Sequence, residues 1–216
     1  MLNTFTGLCL VFTAFGALVS GSPIVPSDSG MPPISGSLTV PTPTTGMPMP
    51  PATTSGMPTT PPSNTTLTLP AGVTLDFILS AQGTQNYTCD PTTNTWVSVG
   101  ALARLSNNSI IYDPRHFVGF HYFIQEAGAL SPVFDLSLSE PNNPGNNLVI
   151  CKKLAQESSP DGANNVQWLL LERARGGLAN FVMRVRTVGG QPPAGSCHPS
   201  EKVRTVPYSA NYVFFK

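Results

Sequence analysis

No window of twelve residues in this sequence carries an apolar stripe at helical spacing bounded by caps. That sets aside helical bundles and folds that alternate strands with helices. No Gly-x-Gly-x-x-Gly follows a strand-like segment, so the dinucleotide-binding signature is missing. No Gly-x-Ser-x-Gly elbow marks a hydrolase nucleophile. His-x-His, His-x-x-x-His and Cys-x-x-Cys are absent too, and a metal site would have to gather ligands from distant strands. Neither a metal nor a cofactor is therefore expected.

Charge is scarce: 10% of the 216 residues are Asp, Glu, Lys or Arg, and the formal net charge is zero. Without a basic block there is nothing to neutralise nucleic-acid phosphates or anionic lipid, so no nucleic-acid partner is expected. Long apolar runs are lacking as well. The longest early one, Leu8 to Val19 within "MLNTFTGLCLVFTAFGALVS", is too short to span a bilayer and is followed by small residues. It reads as a signal peptide, residues 1–21, which implies a secreted chain in the extracellular space or cell wall, with no membrane association after cleavage.

What is abundant changes along the chain. In residues 22–70, Pro, Thr and Ser fill 31 of 49 positions, and Asp28 is the only charge. Such a stretch has too little apolar surface to offset its ordering entropy, so it reads as a disordered, O-glycosylated linker. All the basic side chains and ten of the eleven acids fall in residues 71–216, the size of one ordinary domain.

The strand period dominates that domain. In "TWVSVGALARL" (95–105) Val97, Val99, Ala101, Ala103 and Leu105 share a face; in "YSANYVFF" (208–215) Tyr208, Ala210, Tyr212 and Phe214 do. In "ANFVMRVRTV" (179–188) Phe181, Met183 and Val185 oppose Arg184 and Arg186, which places the arginines on a solvated outer face. "LDFILSA" and "VQWLLLER" are apolar throughout, as central strands are. Gly/Pro/Asn turn clusters separate these segments. The fold class is all-β: an antiparallel sandwich or small barrel of about 8–10 strands.

Cys9 leaves with the signal peptide, so Cys89, Cys151 and Cys197 remain. Cys89 and Cys197 lie in turn-like contexts while Cys151 ends the apolar run "NLVIC", so a Cys89–Cys197 disulfide with a buried free Cys151 is expected. "GTQNYTC" (83–89) then reads as a rigid, closed loop. Its Gln85, Asn86 and Tyr87 are ligand-binding candidates, together with His121 in the aromatic segment "FVGFHYFIQ" and Trp168 in "VQWLLLER". Asn64, Asn86 and Asn107 fit the N-glycosylation sequon. Asp76, Glu126, Asp135 and Glu172 lie in or beside strands, where two facing carboxylates could serve a glycosidase. Arg173, Arg175, Arg184 and Arg186 offer a strip of guanidiniums suited to a carboxylate or phosphate, against the plainer reading of a solvated outer face. Nothing in their spacing selects a catalytic residue.

The blocks "GTQNYTC", "WVSVGALARL", "GFHYF", "FDL", "VQWLLL", "RVRTVGGQPPAGSC" and "VPYSANYVFF" occur in an order that resembles a fungal secreted family, the domain of unknown function 3455 family. The resemblance spans residues 71–216 and implies a secreted protein with no established activity. Members sometimes carry the name malate dehydrogenase, which the missing dinucleotide signature does not support. The leading expectation is an extracellular or wall-associated structural or interaction domain, whose partner is a cell-wall polysaccharide or an extracellular protein. A carbohydrate- or small-ligand-binding module is the second reading, and an extracellular enzyme of unrecognised type the third.

Overall fold

A computed structural model describes residues 60, 62–107, 114–126 and 128–216. The expected signal peptide and residues 22–59 of the expected linker lie outside the described residues. Eight strands follow in chain order: β1 Leu75–Asp90, β2 Thr95–Ser106, β3 Phe117–Glu126, β4 Ala129–Asp135, β5 Leu148–Glu157, β6 Trp168–Gly176, β7 Phe181–Gly189 and β8 Arg204–Phe215. Each pairs antiparallel with the next, and β8 returns to β1, so the sheet closes into an up-and-down barrel. Closure leaves no long sheet edge between first and last strands.

"GTQNYTC" is not a loop. It is the second half of the 16-residue β1 and pairs with β2 on one side and β8 on the other. Its polar residues concealed the period: Gln85, Tyr87 and Cys89 are buried, while Thr84, Asn86 and Thr88 alternate with them at partial exposure. The 89–197 disulfide is present, with Cα atoms 5.7 Å apart, and Cys151 is a buried free thiol.

The lumen is filled by size complementarity. Small residues on β1 and β2 (Ala81, Ala101, Ala103) share one buried cluster with bulky ones on β4 and β8 (Phe134, Tyr208, Tyr212, Phe214). Gly83 belongs to the small set by necessity, because a Cβ there would meet the Leu102 carbonyl oxygen at 1.9 Å. Phe134 packs edge-on against Tyr212 and Phe214, with centroids 4.8 and 5.3 Å away.

A second buried cluster lies outside the barrel. Ile78, Trp168, Leu170, Met183, Val213 and Phe215 project from the outer faces of β1 and β6–β8, and Leu67 covers them with help from Leu69 and Val73. Leu67 and Leu69 belong to the end of the Pro/Thr-rich segment, which is tethered by Glu157. That carboxylate accepts hydrogen bonds from Thr65 Oγ1 at 2.5 Å, from Thr66 N at 2.8 Å and from Thr66 Oγ1. "VQWLLL" is apolar on both faces for this reason: Leu169 and Leu171 pack against the lumen cluster, Trp168 and Leu170 lie under the strap.

The β3–β4 hairpin interrupts the regular wall. Its strands pair with each other from Phe120–Asp135 out to Glu126–Ala129. Yet β3 meets β2 only through Phe117–His121, and β4 meets β5 only through Val133–Asp135. Among the described residues the outer half of the hairpin therefore has no ladder partner on either flank. Pro132 suits such an edge, having no N–H to leave unsatisfied.

Candidate functional site

Where β4 parts from β5, a cavity of about 190 Å³ opens into the lumen. Its walls are apolar: Phe123 from β3, Leu130 and Pro132 from β4, Leu169 and Leu171 from β6. Four polar side chains converge on it, His121 from β3, Lys153 from β5, Arg184 from β7 and Tyr212 from β8. Among the described residues no acidic side chain lines it.

His121 is 1% exposed and sits between rings, stacked on Phe134 with Phe123 and Tyr212 tilted against it. Its Nδ1–H donates to the Val133 carbonyl at 2.8 Å. That bond fixes the tautomer and leaves Nε2 a lone-pair acceptor in a ring that borders the cavity. Burial pushes the imidazole down to about 3; the Val133 hydrogen bond opposes the fall, and Arg184 adds to it. The ring is thus neutral at any ordinary pH.

Arg184 is 7% exposed. Its Nε and Nη2 donate to one atom, the Gln167 carbonyl oxygen, at 3.0 and 2.8 Å. The β6–β7 ladder begins at Leu169–Arg184, so that carbonyl lies outside it and is free to accept. Among the described residues no carboxylate pairs with this guanidinium; the ion pairs are Lys152–Glu172, Arg175–Glu126, Arg204–Glu201 and Lys216–Asp76. Tyr212 is held up in pKa by burial, which Arg184 and Tyr208 oppose, and its hydroxyl lies 3.2 Å from that of Tyr208. Lys153 is exposed at the rim, with Nζ donating to Gln156 Oε1 at 2.7 Å.

Of the five ligand-binding candidates read from the sequence, Gln85, Asn86, Tyr87, His121 and Trp168, the cavity takes His121. Tyr87 is buried below the loop that follows β7, donating its hydroxyl to the Gly190 carbonyl at 2.6 Å. Gln85 is buried beside it and faces the Tyr208 hydroxyl, though its Nε2 makes no hydrogen bond of ordinary geometry among the described residues. Asn86 is half-buried, its Oδ1 accepting from Thr84 at 3.1 Å. Trp168 is 1% exposed under the strap. Asn64 and Asn107 are exposed. The carboxylates do not form a facing pair: Asp76, Glu126 and Glu172 are each in an ion pair, and Asp135 accepts from Ser137 and Tyr122. The guanidinium strip does not form either, because Arg173, Arg175 and Arg186 are exposed while Arg184 turns inward.

Lys153 and Tyr212 escaped the sequence reading as site residues, and Arg184 entered it only as part of an outward strip. For Arg184 the alternation in "FVMRV" was right and its polarity inverted: the apolar face of Met183 and Val185 packs beneath the strap, and the face bearing Arg184 borders the lumen. Val182 on that same face was the available signal, since it is fully buried in the lumen cluster.

No curated protein and no solved structure matches the chain. Residues 70–216 match the family described as protein of unknown function (DUF3455), and the chain belongs to that family.

Proposed function

We propose that this is a secreted barrel that binds a small molecule in its wall cavity. The observation that carries the reading is the gap left where the β3–β4 hairpin loses its flanking ladders, filled by neither strand nor side chain and lined by apolar walls with a few convergent polar groups. Ligand sites are typically concave and mostly apolar, with a few placed polar groups of that kind. The early apolar run and a disulfide that needs an oxidising compartment both support secretion.

The wall-associated reading with a polysaccharide partner has less support. A sugar platform needs an exposed ring, and Tyr87 and Trp168 are 6% and 1% exposed. A dehydrogenase of the dinucleotide-binding kind is built on a parallel sheet flanked by helices, which a closed antiparallel barrel is not. A ligand-observed NMR screen of small fragments against the intact domain tests the proposal. Hits that Leu130→Trp abolishes, with the fold unchanged, support it; hits indifferent to that substitution contradict it.

A further inference from the structure

We propose that the cavity selects a small organic carboxylate, a single apolar ring or branched chain bearing one acid group and one hydroxyl. The inference rests on the reading of the cavity as a binding site and names the ligand class. Its starting point is a charge imbalance. Arg184 carries a permanent positive charge at 7% exposure, and no described acid neutralises it. Buried charges are ordinarily paired, and an unpaired one is costly. Lys153, the other cation of the cavity, has no acidic partner among the described residues either. Two cations and no anion line the same space, so a ligand anion completes the pairing.

The donors point to a carboxylate. A guanidinium has five N–H groups in a planar fork. Arg184 spends two on the Gln167 carbonyl and one faces the Tyr212 hydroxyl, and the two that are left match the two oxygens of a carboxylate. His121 adds the complementary requirement. With Nδ1 committed to Val133, its Nε2 accepts, so it is satisfied by a ligand O–H or N–H and not by a second acid group. Phe123, Leu130, Pro132, Leu169 and Leu171 then require an apolar body between the two polar ends.

Size narrows the class further. The cavity holds about 190 Å³. A cavity of about 150 Å³ takes one benzene ring, so the ligand has a single ring or its equivalent. Nucleotides and oligosaccharides are too large, and a monosaccharide would bring more hydroxyls than these walls satisfy. In the hollow at the barrel end, about 410 Å³, Asp76 and Lys216 pair at 3.1 Å and the remaining charge, Glu140, is exposed to solvent, so no buried charge is left unpaired there.

The test is calorimetric titration of the folded domain with benzoate, 4-hydroxybenzoate, the neutral benzyl alcohol and the cationic benzylamine. We expect both acids to bind at least about tenfold tighter than benzyl alcohol, the gain of one charge-assisted hydrogen bond, and benzylamine not to bind. Arg184→Gln should erase the preference for acids while keeping benzyl alcohol. Should that variant fail to fold, Lys153→Gln at the exposed rim serves instead, lowering benzoate affinity and its salt sensitivity but not benzyl alcohol affinity. Benzyl alcohol binding as tightly as benzoate would overturn the carboxylate inference and leave the cavity as a binding site. Failure of every probe would overturn both.

Discussion

The imidazole of His121 lies flat on the ring of Phe134, centroids 4.4 Å apart and planes 12° apart, deep in the lumen. Arg184 on β7 and Tyr212 on β8 face the same ring, one disfavouring its protonation and one covering it. The folded pKa is pushed from 6.5 down to about 3. Below 6.5 the unfolded chain takes up a proton that the folded chain refuses. Stability from this group is therefore full above 6.5 and lost as pH falls toward 3, at up to about 1.4 kcal/mol per pH unit. Urea melts at pH 7, 6, 5 and 4 should show a steeper loss in the wild type than in His121→Phe. Parallel curves for the two would contradict the buried, neutral assignment.

The disulfide closes a loop of 108 residues. Chain-entropy arguments give such a cross-link about 4–5 kcal/mol. Cys89→Ser should lower Tm by roughly 10 °C, measured by calorimetry. Cys151 should stay silent toward a thiol reagent in the native state, since burial holds its thiol up at about 12. Rapid native labelling of Cys151 would show that the lumen opens more readily than its packing implies.

The strap that ends the Pro/Thr-rich segment makes a separate prediction. Burial raises the pKa of Glu157, and the hydrogen bonds from Thr65 and Thr66 outweigh it, so the net shift is downward. The contact is present at neutral pH and is lost as acid protonates the carboxylate. Leu67→Ala should cost about 2 kcal/mol and shift Trp168 emission to the red, with added acrylamide quenching. Glu157→Gln should give the same red shift at neutral pH that acid gives the wild type. Unchanged emission in both variants would mean that Trp168 is covered by something other than the strap.

Much of the fold was legible because one face of most strands is buried and the other wet. The alternation in 95–105 and 208–215 gave the extents of β2 and β8 within a few residues. A register shift between Asn86 and Tyr87 skips Val99, however, and Val97 and Val99 are exposed instead of sharing the buried face of Ala101, Ala103 and Leu105. Legibility failed where that asymmetry fails. At β7 both faces are covered, so the arginine that looked outward looks inward. In the second half of β1 the inward residues are Gln85, Tyr87 and Cys89, which carry no hydrophobic signal in a row. His121 stood out through its aromatic neighbours. The cavity did not, because it arises from ladders that β3 and β4 do not form with β2 and β5, a property of no local window.

The central claim is that the wall cavity is the functional site, and methyl-detected NMR of the intact domain titrated with 4-hydroxybenzoate tests it most directly. We predict saturable shifts confined to the methyls of Leu130, Leu169 and Leu171 and to the His121 ring, residues that come from three strands and meet only at this cavity. Saturable shifts centred on the exposed Val97 and Val99 of β2, with those four residues unmoved, would contradict it.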